Sequence, residues 1–146
     1  MPDNISVSVI LIHPNQQEML LAGTEEGIYR STDGGVSWNQ VAAGTSRDME
    51  YVLTDADVVY AGKEDGLFLS KDFGKTWQDI SANLPLGSVP ALAVNCNGTV
   101  VYAGVTSGRR GFELFVSIAG SVARVPMDST TGVDYGRPRR GSKPSR

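Results

Sequence analysis

Two copies of one octapeptide, Ser31-Thr32-Asp33-Gly34-Gly35-Val36-Ser37-Trp38 and Ser70-Lys71-Asp72-Phe73-Gly74-Lys75-Thr76-Trp77, stand 39 residues apart and share the form S-x-D-x-G-x-[ST]-W. Each follows a short apolar run (Gly27-Ile28-Tyr29 and Gly66-Leu67-Phe68-Leu69) and precedes another, Trp38 to Val41 or Trp77 to Ile80. That is the layout of a hairpin whose turn is the octapeptide. An Asp opening a turn can accept hydrogen bonds from amides a few residues on. Gly35 and Gly74 can supply the left-handed backbone that closes such a turn without a Cβ clash. Ser31 and Ser70 can add a second side-chain bond. Trp38 and Trp77 each bring a large apolar surface and one N–H donor that needs an acceptor. The motif predicts a self-satisfied turn pinned to a core by its indole.

The agreement extends beyond the octapeptide. Ala22-Gly23 matches Ala61-Gly62, Gly27 matches Gly66, Tyr29 matches Phe68 and Gln40 matches Asp79, all at the same offset. This is an internal repeat. Strands are expected over residues 5–12, 18–24, 28–30 and 37–41, then 49–54, 58–63, 67–70 and 76–80. Residues 5–12 begin alternating and end continuously apolar, which predicts a strand buried on both faces. Residues 13–17 and 42–48 read as turn and linker.

The octapeptide resembles the Asp-box, or BNR repeat, of sialidases, xyloglucanase-type glycosidases, sortilin-type receptors and photosystem II assembly factors. In that superfamily each repeat sits on one blade of a β-propeller, on the turn between the third and fourth strands and away from the substrate face. The resemblance therefore gives Ser31, Asp33, Gly35, Ser37, Trp38, Ser70, Asp72, Gly74, Thr76 and Trp77 structural roles. The catalytic residues of these families do not carry over. The Phe- or Tyr-Arg-Ile-Pro motif that opens sialidases is absent, and Arg124-Val125-Pro126 matches it only in part and at the wrong end.

A third unit starts well and then decays. Val89 to Val94 repeats the first strand, Val100-Val101-Tyr102-Ala103-Gly104 the second, and Leu114-Phe115-Val116-Ser117 the third. Extra length between Val105 and Gly111 predicts a longer hairpin loop. Where Asp33 and Asp72 had their place the chain has Ala119, Ser121 replaces the glycine, and no tryptophan follows; residues 123–125 make a weak fourth strand. The expected fold is all-β, a partial β-propeller of about three four-stranded antiparallel blades (about 5–41, 49–80 and 89–125) within residues 1–126. Propellers close their ring with four or more blades, and an open array leaves apolar blade faces in water. The expected partners are further blades, from the rest of a longer chain or from self-association.

Charge is uneven. Residues 127–146 hold Arg137, Arg139, Arg140, Lys143 and Arg146 against Asp128 and Asp134, so the remainder is more acidic than the whole chain at −3. An acidic body argues against a nucleic-acid partner, and the tail reads as a disordered, solvated basic end. The start lacks a signal peptide and no apolar run is long enough to insert in a membrane, so the chain as given reads as cytoplasmic. The one cysteine, Cys96, excludes an intrachain disulfide, and with only one histidine, His13, the chain lacks the His and Cys set of a metal site, so neither metal nor cofactor is expected.

Strand two–three hairpins and the links between blades share one face of a propeller, where ligands bind. Here they place Arg47, Asp48, Glu25-Glu26, Glu64, Asp65, Arg109 and Arg110. Arg47, Glu64, Asp65, Arg109 and Arg110 are the candidate ligand-face residues, and no residue is assigned a catalytic role. The function expected is a non-enzymatic scaffold for a protein or glycan. The alternatives are part of a sialidase- or xyloglucanase-type glycoside hydrolase, in which paired carboxylates would act on a glycosidic bond, and an assembly factor for a membrane complex.

Overall fold

The structure, a computed structural model, describes residues 1–82, 84–107, 111–118 and 121–126. The basic tail, Arg109 and Arg110 lie outside them. Twelve strands form three separate four-stranded antiparallel sheets, each a meander in chain order. Sheet one is β1 (Val7–Ile12), β2 (Leu20–Thr24), β3 (Gly27–Ser31) and β4 (Asn39–Ala43). Sheet two is β5 (Ser46–Val52), β6 (Asp55–Lys63), β7 (Gly66–Ser70) and β8 (Gln78–Asp79). Sheet three is β9 (Ser88–Val94), β10 (Val100–Ser107), β11 (Gly111–Ile118) and β12 (Ser121–Val125).

The opening strands β1, β5 and β9 contact one another in succession, so the sheets stack face to face with sheet two between the others. Two cores result. Leu21, Ile28, Met49, Val59, Ala61 and Phe73 fill the seam between sheets one and two, flanked by Val9, Leu11 and Trp77. Leu67, Val89, Leu92, Ala103, Val105 and Phe115 fill the seam between sheets two and three. Each fully buried Leu, Ile or Phe contributes about 1.5–3 kcal/mol over its exposed state. The backbones also approach closely: a Cβ on Gly62 would collide with the Val89 carbonyl.

Three local expectations change. β1 is buried on one face only: Val9 and Leu11 point into the seam, while Ile10 and Ile12 are 58% and 54% exposed. Sheet one has no described neighbour on that side, so the apolar run lies open there. β5 begins at Ser46, so Arg47 and Asp48 sit on a strand and the link between the first two sheets shortens to Gly44 and Thr45. In the third unit the added residues lengthen the paired strands, since the β10–β11 ladder runs to the Ser107↔Gly111 pair.

Candidate functional site

The octapeptides form the turns between the third and fourth strands, and their bonds repeat in both copies. Ser31 Oγ donates to Asp33 Oδ1 at 2.8 Å and accepts the Gly35 amide at 2.9 Å. Asp33 in turn accepts the Ser37 amide at 2.8 Å and the Ser37 hydroxyl. In the second turn Ser70 donates to Asp72 at 2.8 Å and accepts the Gly74 amide at 2.8 Å, while Asp72 accepts the Thr76 amide and hydroxyl. Bonds of this kind favour the charged carboxylate. The Ser37 hydroxyl and amide, followed by Ser31, bring the Asp33 carboxyl down to about 2. Partial burial opposes the effect at Asp72, but the Thr76 and Ser70 bonds outweigh it and its carboxyl is also held low.

The two indoles differ. Trp38 Nε1 donates to the Gly35 carbonyl at 3.0 Å, whereas the buried Trp77 Nε1 has no partner. The expected acceptor is thus found in one turn and missing in the other. Trp77 instead serves by packing on the first core. His13 is structural as well: it accepts the Asn15 amide at Nδ1 (3.2 Å), which leaves the proton on Nε2 to reach Asp57 Oδ1 at 3.2 Å, and its ring meets the Phe73 ring edge-on at 4.8 Å.

The opposite end of the sheets gathers the charged hairpins. The Thr45 hydroxyl donates to the Glu25 carbonyl at 2.7 Å, the Gly44 amide to the Glu26 carbonyl at 3.1 Å, and the Glu64 amide to the Thr45 carbonyl at 2.9 Å. The short link is thereby laced to both hairpins, which brings Glu25, Glu26, Glu64 and Asp65 to one rim. Beneath them Lys63 is almost fully buried, with Nζ 3.3 Å from Asp65 Oδ1 and 4.2 Å from the centre of the Phe68 ring. Sequence reasoning passed over Lys63; its repeat partners Thr24 and Val105 are uncharged, and that mismatch was the available signal.

Asp48 does not present a free carboxylate. Oδ2 accepts the Leu92 amide at 2.8 Å and Oδ1 accepts the Met49 amide at 2.9 Å, so it ties sheet two to sheet three. Arg47 is exposed on β5. Glu50, two residues past Asp48 on that strand, is exposed as a whole, yet its carboxyl is raised, first by partial burial and then by Asp48. Among the described residues no group of three or more His, Cys, Asp or Glu could hold a metal ion, and no helix is long and apolar enough to cross a membrane.

No protein-family model and no curated protein sequence matches the chain. Solved structures do. An ancestral GH74 enzyme superposes with TM-score 0.72 at 20% identity, over 92% of this chain and 21% of that one. The GH74 xyloglucanase from Xanthomonas campestris gives 0.63 at 20% identity, over 80% and 22%. YCF48 from Cyanidioschyzon merolae gives 0.62 at 18% identity, over 85% and 38%. The chain thus spans between about a fifth and two fifths of the structures it matches. With three stacked four-stranded meanders, it has the fold of a partial β-propeller of about three blades, the architecture of the GH74 propeller enzymes and YCF48.

Proposed function

We propose that the chain is a non-catalytic Asp-box propeller module, or part of one, that acts as a binding scaffold for a protein or glycan. Its ligand surface is the rim carrying Glu25, Glu26, Glu64 and Asp65 above the buried Lys63, with Arg47 beside it. The observation that supports this most is the engagement of the carboxylates. Asp33 and Asp72 are saturated by their own turns and held low, which suits a fixed acceptor and opposes a proton donor to a leaving group. Asp48 holds a strand amide and Asp65 neutralises a buried lysine. Further blades cover the outer faces of sheets one and three, where Ile10, Ile12, Tyr102 and Ile118 lie exposed.

The likeness to GH74 enzymes favours a second reading, a piece of a glycoside hydrolase of the xyloglucanase or sialidase type. The likeness to YCF48 favours a third, an assembly factor. Incubation with xyloglucan and with fluorogenic sialosides separates the first two: the scaffold releases no reducing sugar or fluorophore. Turnover that Glu64→Gln or Asp65→Asn abolishes overturns it. Light scattering tests the covering blades, and a concentration-dependent rise above 15.6 kDa that Ile10→Lys removes is the result expected for self-association.

A further inference from the structure

We infer that the cleft between sheets two and three is a binding site for a small neutral aromatic molecule carrying one hydrogen-bonding substituent. The cleft has a volume of about 520 Å³ and is walled by Tyr60, Leu69, Val101, Phe115, Ser117 and Val122, among others. That is within the range of small-molecule pockets, which are mostly apolar with a few polar groups.

The internal repeat identifies what the space is shaped for. Tyr60, Leu67, Val101 and Ala103 hold the places in the second seam that Leu21, Ile28, Val59 and Ala61 hold in the first. In the first seam those four residues share one core with the Phe73 ring, which is completely buried. Phe73 comes from the turn of the following sheet, where φ of 47° and a bond from Arg30 Nε to its carbonyl at 2.9 Å aim it back between the sheets. Sheet three has no aromatic residue at the matching place in the sequence. The pairs Ser117↔Val122 and Ile118↔Ser121 leave only Ala119 and Gly120 between β11 and β12, and neither residue carries a ring. Val122 also stands opposite Ser117 where Trp77 follows Ser70, so a second ring has become a small aliphatic side chain. Both aromatic groups that close the first seam are therefore missing from the second.

The polar groups fit the same ligand. Ser31 and Ser70 are engaged by an Asp and two amides, but Ser117 has lost its Asp, and its hydroxyl makes no hydrogen bond with a described residue. The Tyr60 hydroxyl is likewise without a partner among the described residues. A phenol or aryl amide would place its ring between the sheets and its polar atom on one of these hydroxyls. Among the described residues no charged side chain lines the cleft, so an ionised ligand would be desolvated without compensation from them.

Titration with p-cresol, toluene and cyclohexanol, followed by amide and methyl NMR shifts, tests the site. Binding of p-cresol with shifts centred on Tyr60, Leu69, Val101 and Ser117 is expected, with cyclohexanol weaker. Ser117→Ala should weaken p-cresol about threefold to tenfold and leave toluene unchanged, as loss of one hydrogen bond would. Val122→Trp rebuilds the filled seam and should weaken p-cresol by about tenfold or more. Where thermal melting shows that variant misfolded, Ala103→Leu takes its place. No binding at millimolar p-cresol, shifts spread over the surface, or unchanged affinity in a folded filled variant overturns the site.

Discussion

The seam between sheets one and two and the seam between sheets two and three are built from matching strand positions, yet only the first is closed by rings. In the first, Phe73 and Trp77 from the octapeptide turn lie against Leu21, Ile28 and Val59, and Gly74 passes so close to Leu21 that a Cβ would collide with its methyl groups. In the second, the corresponding turn has shrunk to a two-residue connection and the place of those rings is a cleft. Leu92, Val105 and Val89 still bury their side chains there, and Asp48 still holds the Leu92 amide. The comparison teaches that the paired strands set how the sheets stack, while the turn sets whether the space between them is filled.

Phe73→Ala should have the largest effect, a loss of about 3–5 kcal/mol in urea denaturation, because it empties a fully buried site. Phe115→Ala, bordering space that is already open, should lose only about half of that; equal losses would break the contrast between the seams. Gly74→Ala follows, at about 2–4 kcal/mol, since it combines a left-handed backbone (φ 77°) with the collision at Leu21. Gly35→Ala, with φ of 91° but only ordinary contacts, should lose about 1–2 kcal/mol. Ser70→Ala should lose about 1–3 kcal/mol by stranding the Gly74 and Asp72 amides, while Ser117→Ala stays within about 0.5 kcal/mol.

The smallest effect sharpens the comparison through pH. Asp33 lies at about 2 in the fold against its ordinary 3.8, and Asp72 is displaced in the same direction. A carboxyl lowered by folding adds stability that is complete above its unfolded value and is lost as pH falls through the folded one. Melting temperature should therefore fall between about pH 4 and pH 2. The Asp33→Asn/Asp72→Asn double variant should melt lower at neutral pH and show a flatter acid limb. A wild-type and a double variant with parallel profiles would remove the turns from the acid response.

The stacking of sheets was legible because a 39-residue offset repeats residue by residue, so one unit's turn chemistry confirmed the other's. The Ser31, Asp33 and Ser37 bonds follow from residue type and spacing alone. Burial across sheets was not legible, since Ile10 and Ile12 look like core until it is known that nothing described covers them. Of the rim residues, Glu64 and Asp65 could be placed from their hairpin, but Asp48 could not, because its partner amide at Leu92 lies 44 residues on. The cleft was legible only in part: loss of the ring-bearing motif after Ser117 shows in the sequence, but the fourth strand was expected at 123–125 and its start at Ser121 shows only in the pairing.

The Phe73 insertion also gives the array a direction. The ring-bearing turn of sheet two seats in the hollow of sheet one, so sheet one is finished only by its successor. On the ribosome, the first seam stays unsealed until residue 73 has emerged, and sheet one would wait for that moment as a loosely held hairpin pair. Blades added or exchanged in such a series are interchangeable only as overlapping units, cut within the strands of one sheet and after the turn of the next.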